Sequence, residues 1–142
     1  MILALDPGTE KTGYCYYEEG RVVDSGVEDN EHILSMVMTH SGSLAIEMIA
    51  SYGMAVGKEV FETCVWIGRF TQAYMYPHNA RYVYRRDVKQ KLCGSQKAKD
   101  ANIRQALIDL IGPQGTKKEP GPTYGVKSHA WAALGVAVTA AG

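Results

Sequence analysis

Apolar positions fall into short segments separated by turn-forming residues. Ile2-Leu3-Ala4-Leu5 is a continuous apolar run that stops at Asp6-Pro7-Gly8-Thr9, the pattern of a buried strand entering a tight turn. Thr12 to Tyr17 and Arg21 to Val27 flank Glu18-Glu19-Gly20, which predicts a hairpin with Gly20 at the positive-φ turn position. Asp29 or Asn30 can cap a short helix through Ile33, Leu34, Met36 and Val37, broken by Ser41-Gly42-Ser43. Leu44 to Ile49 reads as a second central strand, apolar on both faces except at Glu47. A strand, a helix and a strand in that order imply a parallel βαβ unit.

From Lys58 to about Tyr74 the apolar residues Val60, Phe61, Cys64, Val65, Ile67 and Phe70 recur at helical spacing, and the helix ends before Pro77. Trp66, Phe70 and Tyr74 at i, i+4 and i+8 suggest a second apolar face on it, suited to contact with another copy. Arg81 to Tyr84 has strand composition, and Asp87 to Cys93 predicts a short helix stopped by Gly94. Ile103, Ala106, Leu107, Leu110 and Ile111 mark another helix, stopped by Gly112-Pro113. Gly112 to Gly125 holds three prolines without periodicity, which implies a mobile surface loop or a substrate-facing one. The last helix, Val126 to about Ala141, is small and apolar almost all round, hence buried against the sheet. No repeat or linker divides the chain, so residues 1–142 are expected to form one domain.

With 46% hydrophobic residues the chain is too apolar for disorder and long enough to bury a real core. No apolar run is long enough to span a bilayer and no signal peptide precedes Met1-Ile2-Leu3, so a soluble, cytoplasmic protein is expected. Cys15, Cys64 and Cys93 are odd in number and lack CxxC spacing, which suits reduced thiols better than a disulfide frame or a zinc site. The formal net charge of +0 hides an asymmetry: residues 1–62 carry three bases against eleven acids, and residues 63–142 carry twelve bases against four acids. Such a split points to nucleic-acid contact on the basic side. The bases concentrate in Arg81, Arg85, Arg86, Lys89, Lys91, Lys97 and Lys99, with only Asp87 against them and Tyr82 and Tyr84 interleaved. Solvated helix faces usually mix signs, so this segment reads as a phosphate-backbone surface.

Two acids stand out. Asp6 ends a buried strand, where open α/β sheets bind ligands, although an aspartate there can also merely cap its turn. Glu47 interrupts an apolar strand; it either reaches solvent at the strand end or converges with Asp6 if the two strands are parallel neighbours. Two adjacent carboxylates repel and call for a divalent cation, Mg²⁺ or Mn²⁺ for oxygen ligands.

The segments Ala4-Leu5-Asp6-Pro7-Gly8-Thr9 with Thr12-Gly13, Ala45-Ile46-Glu47, Asp87-Val88-Lys89-Gln90 and Ala130 to Val138 resemble, in order and spacing, those of RuvC-type Holliday-junction resolvases of the ribonuclease H-like superfamily. The resemblance spans nearly the whole chain; its first motif is specific only to the superfamily, and the ordered set is more specific. It implies a mixed five-stranded sheet with strand 2 antiparallel, flanked by helices. It also implies a homodimer that nicks four-way DNA junctions with two Mg²⁺ ions, Mn²⁺ able to substitute. By that resemblance Asp6, Glu47 and His129 are metal ligands and Lys89 meets the scissile phosphate, with the other bases of Arg81 to Lys99 holding DNA strands. The chain departs from the pattern at Ala132, where an acid is expected three positions after His129. Asp100 is the compensating candidate, although an acid in a helix's first turn also simply favours the helix dipole. His129 likewise can be a hydrogen-bonded helix-start residue rather than a ligand. Three alternatives stay open: an actin-like or sugar-kinase ATPase, for which the chain is too short; a nuclease of the same superfamily acting on structured RNA; and a catalytically impaired junction-binding protein.

Overall fold

In the computed structural model, which describes every residue from Met1 to Gly142, a five-stranded sheet separates two layers of helices. β1 (Ile2–Asp6) lies at its centre, flanked by β2 (Lys11–Glu18) and then β3 (Arg21–Asp29) on one side, and by β4 (Ser43–Met48) and β5 (Arg81–Tyr84) on the other. β1, β4 and β5 are parallel, and β2 runs antiparallel to both β1 and β3. This is the mixed sheet, with strand 2 antiparallel, that the sequence implied.

The alternation of strand side chains divides the core in two. Leu3, Leu5, Leu44 and Ile46 face α1 (Asn30–Thr39) and α2 (Lys58–Ala73), meeting Ile33, Val37, Ile67 and Phe70. Ala4, Cys15, Ala45 and Val83 face the other layer, formed by α3 (Arg85–Cys93), α4 (Asp100–Ile111) and α5 (His129–Ala141). The small Ala4 and Ala45 let α5 lie close to the strands. Nine of its residues, Ala130, Trp131 and Ala133 to Thr139, are buried. Fully covering a side chain such as Leu134 stabilises the fold by about 2 kcal/mol.

Several sequence expectations need correction. The last helix begins at His129, not Val126, because Gly125 and Ser128 adopt φ values of 84° and 51° that no helix accepts. α3 begins at Arg85 rather than Asp87, immediately after β5. Phe70 and Tyr74 are not a free face of α2; they are buried in the core, and the outward apolar residues are Phe61 and Val65. Asn30 does not cap α1 with its side chain. It instead accepts a 2.6 Å hydrogen bond from Thr12 and donates one of 2.9 Å to the Gly8 carbonyl, pinning the turn that follows Asp6. Gly112 to Gly125 is tied to itself by Thr123 Oγ1 donating to the Gly112 carbonyl at 2.8 Å and by Gly121 N–H donating to the Gln114 carbonyl at 2.9 Å. Its residues Pro120 to Pro122 flank Val22 to Ser25 of β3.

Candidate active site

Register brings the two anomalous acids together. Leu5 of β1 stands beside Ile46 of β4, so Asp6 and Glu47 are neighbours at the C-terminal edge of the parallel strands. By the same alternation both point to the α5 side of the sheet, as Ala4 and Ala45 do. Asp6 also pairs across β2 with Gly13. A Cβ on Gly13 would lie 2.4 Å from the His129 carbonyl oxygen, so only glycine admits the start of α5 here. That close approach lets His129 Nδ1 reach Asp6 Oδ2 at 2.9 Å.

The next strand supplies a cation. Tyr84 of β5 pairs with Met48, and α3 starts one residue later, placing Arg85 above the carboxylates. Its Nη1 lies 3.7 Å from Glu47 Oε1, and its Nη2 is hydrogen-bonded to Asp100 Oδ1 at the first turn of α4. Glu47 Oε1 and Arg85 Nη1 are both buried and make no hydrogen bond.

Asp6 and Glu47 are mostly covered, with side-chain exposures of 12% and 17%, whereas His129 and Asp100 are 70% and 88% exposed. Burial pushes the Asp6 carboxyl above its usual range, opposed by hydrogen bonding from Glu47 and by the Arg85 charge. Glu47 rises further, to about 8, through burial and then the Asp6 charge. Without metal, the pair therefore holds protons more tightly than two exposed carboxyls would.

Crowded, desolvated carboxylates, one with an orphaned buried oxygen, fit a hard divalent cation that would supply the missing charge. No group of three or more His, Cys, Asp or Glu side chains is arranged to hold a metal ion. Asp100 and His129 line one cavity with Ala132, Arg104 and Ser128. Asp100 is drawn to Arg85, and His129 sits on Asp6. The sequence-proposed set of Asp6, Glu47, His129 and Asp100 thus shares one neighbourhood, in which only Asp6 and Glu47 form a buried pair.

The basic segment does not stay together. Lys89, Arg85 and Arg86 line a second cavity with Tyr52 and Gln96, and the Arg86 guanidinium lies 5.5 Å from the Tyr52 ring centre. Lys97 and Lys99 are exposed on the turn into α4, next to Asp100. Arg81 and Lys91 lie elsewhere: Arg81 donates at 2.5 Å to the Ala140 carbonyl, and Lys91 lies against Gly142, both at the C-terminal end of α5. Sequence reasoning missed four participants. Arg104, one turn after Asp100, lies 5.5 Å from the Trp131 ring and lines the cavity with His129. Tyr52 sits in an exposed turn with φ 51°, without a periodic signal to mark it. Asn30 and Thr12 act only through the turn they pin, although glycine inside a strand, as at Gly13, does signal a close approach.

No family model and no curated protein matches the chain. Among solved structures, that of Thermus thermophilus RuvC superposes with a TM-score of 0.70 at 19% identity, over 99% of this chain and 92% of that one. The chain has the RuvC fold. T. thermophilus RuvC in complex with Holliday junction substrate superposes with the same TM-score and coverage at 18% identity. The correspondence to RuvC covers the sheet and both helical layers, and Asp6 and Glu47 lie at the sheet edge where α/β folds bind their ligands.

Proposed function

We propose that the chain is a divalent-metal-dependent endonuclease that nicks four-way DNA junctions. The observation that carries this reading is the buried Asp6–Glu47 pair at the C-terminal sheet edge of a RuvC fold, which Arg85 connects to a cavity lined by Arg86 and Lys89. The neighbour in complex with Holliday junction substrate supports branched DNA as the substrate class.

Asp6 and Glu47 would hold Mg²⁺, with His129 and Asp100 as the nearest further donors and Mn²⁺ as a substitute. Two such ions would supply activation of the attacking water and stabilisation of the leaving 3′-oxygen, for a product with a 5′-phosphate and a 3′-hydroxyl. Asp6 fixes His129 through Nδ1, which leaves Nε2 to orient or accept a proton from water at the scissile phosphate. Lys89 neutralises charge on the phosphate, and Arg86, Lys97 and Lys99 hold the flanking backbone. The exposed Tyr52 ring beside Arg86 offers a surface for an unstacked base. A homodimer would match the two-fold symmetry of a junction, and the exposed Phe61–Val65 face of α2 suits a second copy.

The test is nicking of a labelled four-way junction in Mg²⁺ and in EDTA, with linear duplex and RNA/DNA hybrid as controls. Asp6→Asn and Glu47→Gln should each lower Mg²⁺-dependent nicking by about a hundredfold or more while junction binding persists. Wild-type rates in both variants would eliminate the two-carboxylate site. The alanine at 132 and the lack of a ready three-ligand group favour a second reading, a junction-binding protein without nuclease activity. Binding without nicking in either metal is its signature, and Ala132→Asp should then raise activity.

A further inference from the structure

Arg85 is placed where helix stability alone would not put it. It is the first residue of α3, where the helix dipole disfavours a cation, and Arg86 follows it. Its guanidinium nevertheless turns inward, only 28% exposed, to contact carboxylates from two other elements, Glu47 of β4 and Asp100 of α4. The contact with Glu47 is incomplete: 3.7 Å is too long for a hydrogen bond, and Nη1 and Oε1 both remain without partners. Towards Glu47 the charge therefore acts without a hydrogen bond, while the bond from Nη2 to Asp100 anchors the other side of the guanidinium. Arg85 also lines two cavities, one shared with Asp100 and His129 and the other with Arg86 and Lys89, so its side chain stands between the two.

We propose that Arg85 is the resident counter-ion of the carboxylate pair, a positioning residue that a divalent metal must displace and that turns to a DNA phosphate once displaced. This rests on the metal-site reading of Asp6 and Glu47. Without metal, the guanidinium bridges Glu47 and Asp100 and supplies the positive charge that this acidic edge otherwise lacks. Metal at Glu47 brings a second positive charge beside Arg85, and the two cations compete for one carboxylate oxygen. Released from Glu47, the guanidinium keeps Asp100 through Nη2, and its Nη1 is free for a phosphate over the Lys89 cavity. Metal and phosphate-bearing ligand then bind cooperatively, with Arg85 as the element that links them.

The experiment has three readouts that do not depend on cleavage. Calorimetric titration with Mg²⁺ should give Arg85→Met a dissociation constant lower than wild type by about tenfold, with Arg85→Lys between them. In the wild-type chain, the Arg85 Nε–Hε NMR signal, assigned by its loss in Arg85→Lys, should shift as Mg²⁺ is added; this measurement survives even if Arg85→Met fails to fold. Junction binding in Ca²⁺ should exceed that in EDTA for wild type and gain less for Arg85→Lys. Equal or weaker Mg²⁺ affinity in Arg85→Met, or a signal unmoved at saturating Mg²⁺, overturns the role of Arg85 and leaves the metal site standing. Absence of Mg²⁺ binding in both wild type and variant overturns both.

Discussion

Burial beside Asp6 raises the Glu47 pKa from 4.5 to about 8 in the metal-free chain. The folded state then binds more protons than the unfolded state between those values, so stability falls as pH rises through that window. The contribution is fully present below about pH 4.5 and lost above about pH 8. Asp6, shifted in the same direction, adds to the trend. The melting temperature in EDTA should therefore decline across this range, and Glu47→Gln should flatten the decline. Metal binding expels the proton, so Mg²⁺ affinity should rise over the same interval. Glu47 was visible in the sequence because one carboxylate in an apolar strand is costly. Arg85 was not visible as its partner: in a run of bases it resembles any other, and only the β4–β5 register and the early start of α3 turn it inward.

Among the elements, α5 and β2 depend on one missing side chain. A Cβ at residue 13 would lie 2.4 Å from the His129 carbonyl oxygen and 2.8 Å from its Cβ, both on a helix start with no free direction to move. Gly13→Ala should destabilise the fold by about 1–3 kcal/mol in urea unfolding and displace His129 from Asp6. It should also reduce Mg²⁺-dependent nicking by more than the stability loss explains. The periodic elements were legible because their burial is one-sided. Ile103 and Leu107 face the core of α4 as the spacing requires, and the leucines of β1 face α1 and α2. Element ends were less legible. The start of α5 depends on positive φ at Ser128, a residue type that gives no warning of it. The inner face of α2 was misread because Phe70 and Tyr74 are as apolar as Phe61 and Val65, and only packing against β1 and β4 decides which pair is covered.

At the scale of the whole molecule, the charge asymmetry of the sequence is spatially sorted in a way the linear count concealed. Arg86 and Lys89 stand at the carboxylate edge, whereas Arg81 and Lys91 cluster at the far end of α5. Reversing Arg86 and Lys89 to glutamate should weaken junction binding and reduce its salt dependence by about one unit of slope per lost phosphate contact. Reversing Lys91 should leave both unchanged, as measured by binding across a salt series. The same separation explains why a run of seven bases overstated the surface: a four-residue strand carries its first base to the opposite edge of the sheet.

Asp6 and His129 lie 123 positions apart in sequence, and their contact rests on the pairing of β2 with β1 and the seating of α5 over Gly13. The event that closes the larger core is thus the one that completes the site. Contacts of such sequence separation carry a loop-closure cost that the packing around them must offset. A chain still acquiring its structure carries the acids without their arrangement, and its capacity for chemistry arrives together with its cooperativity.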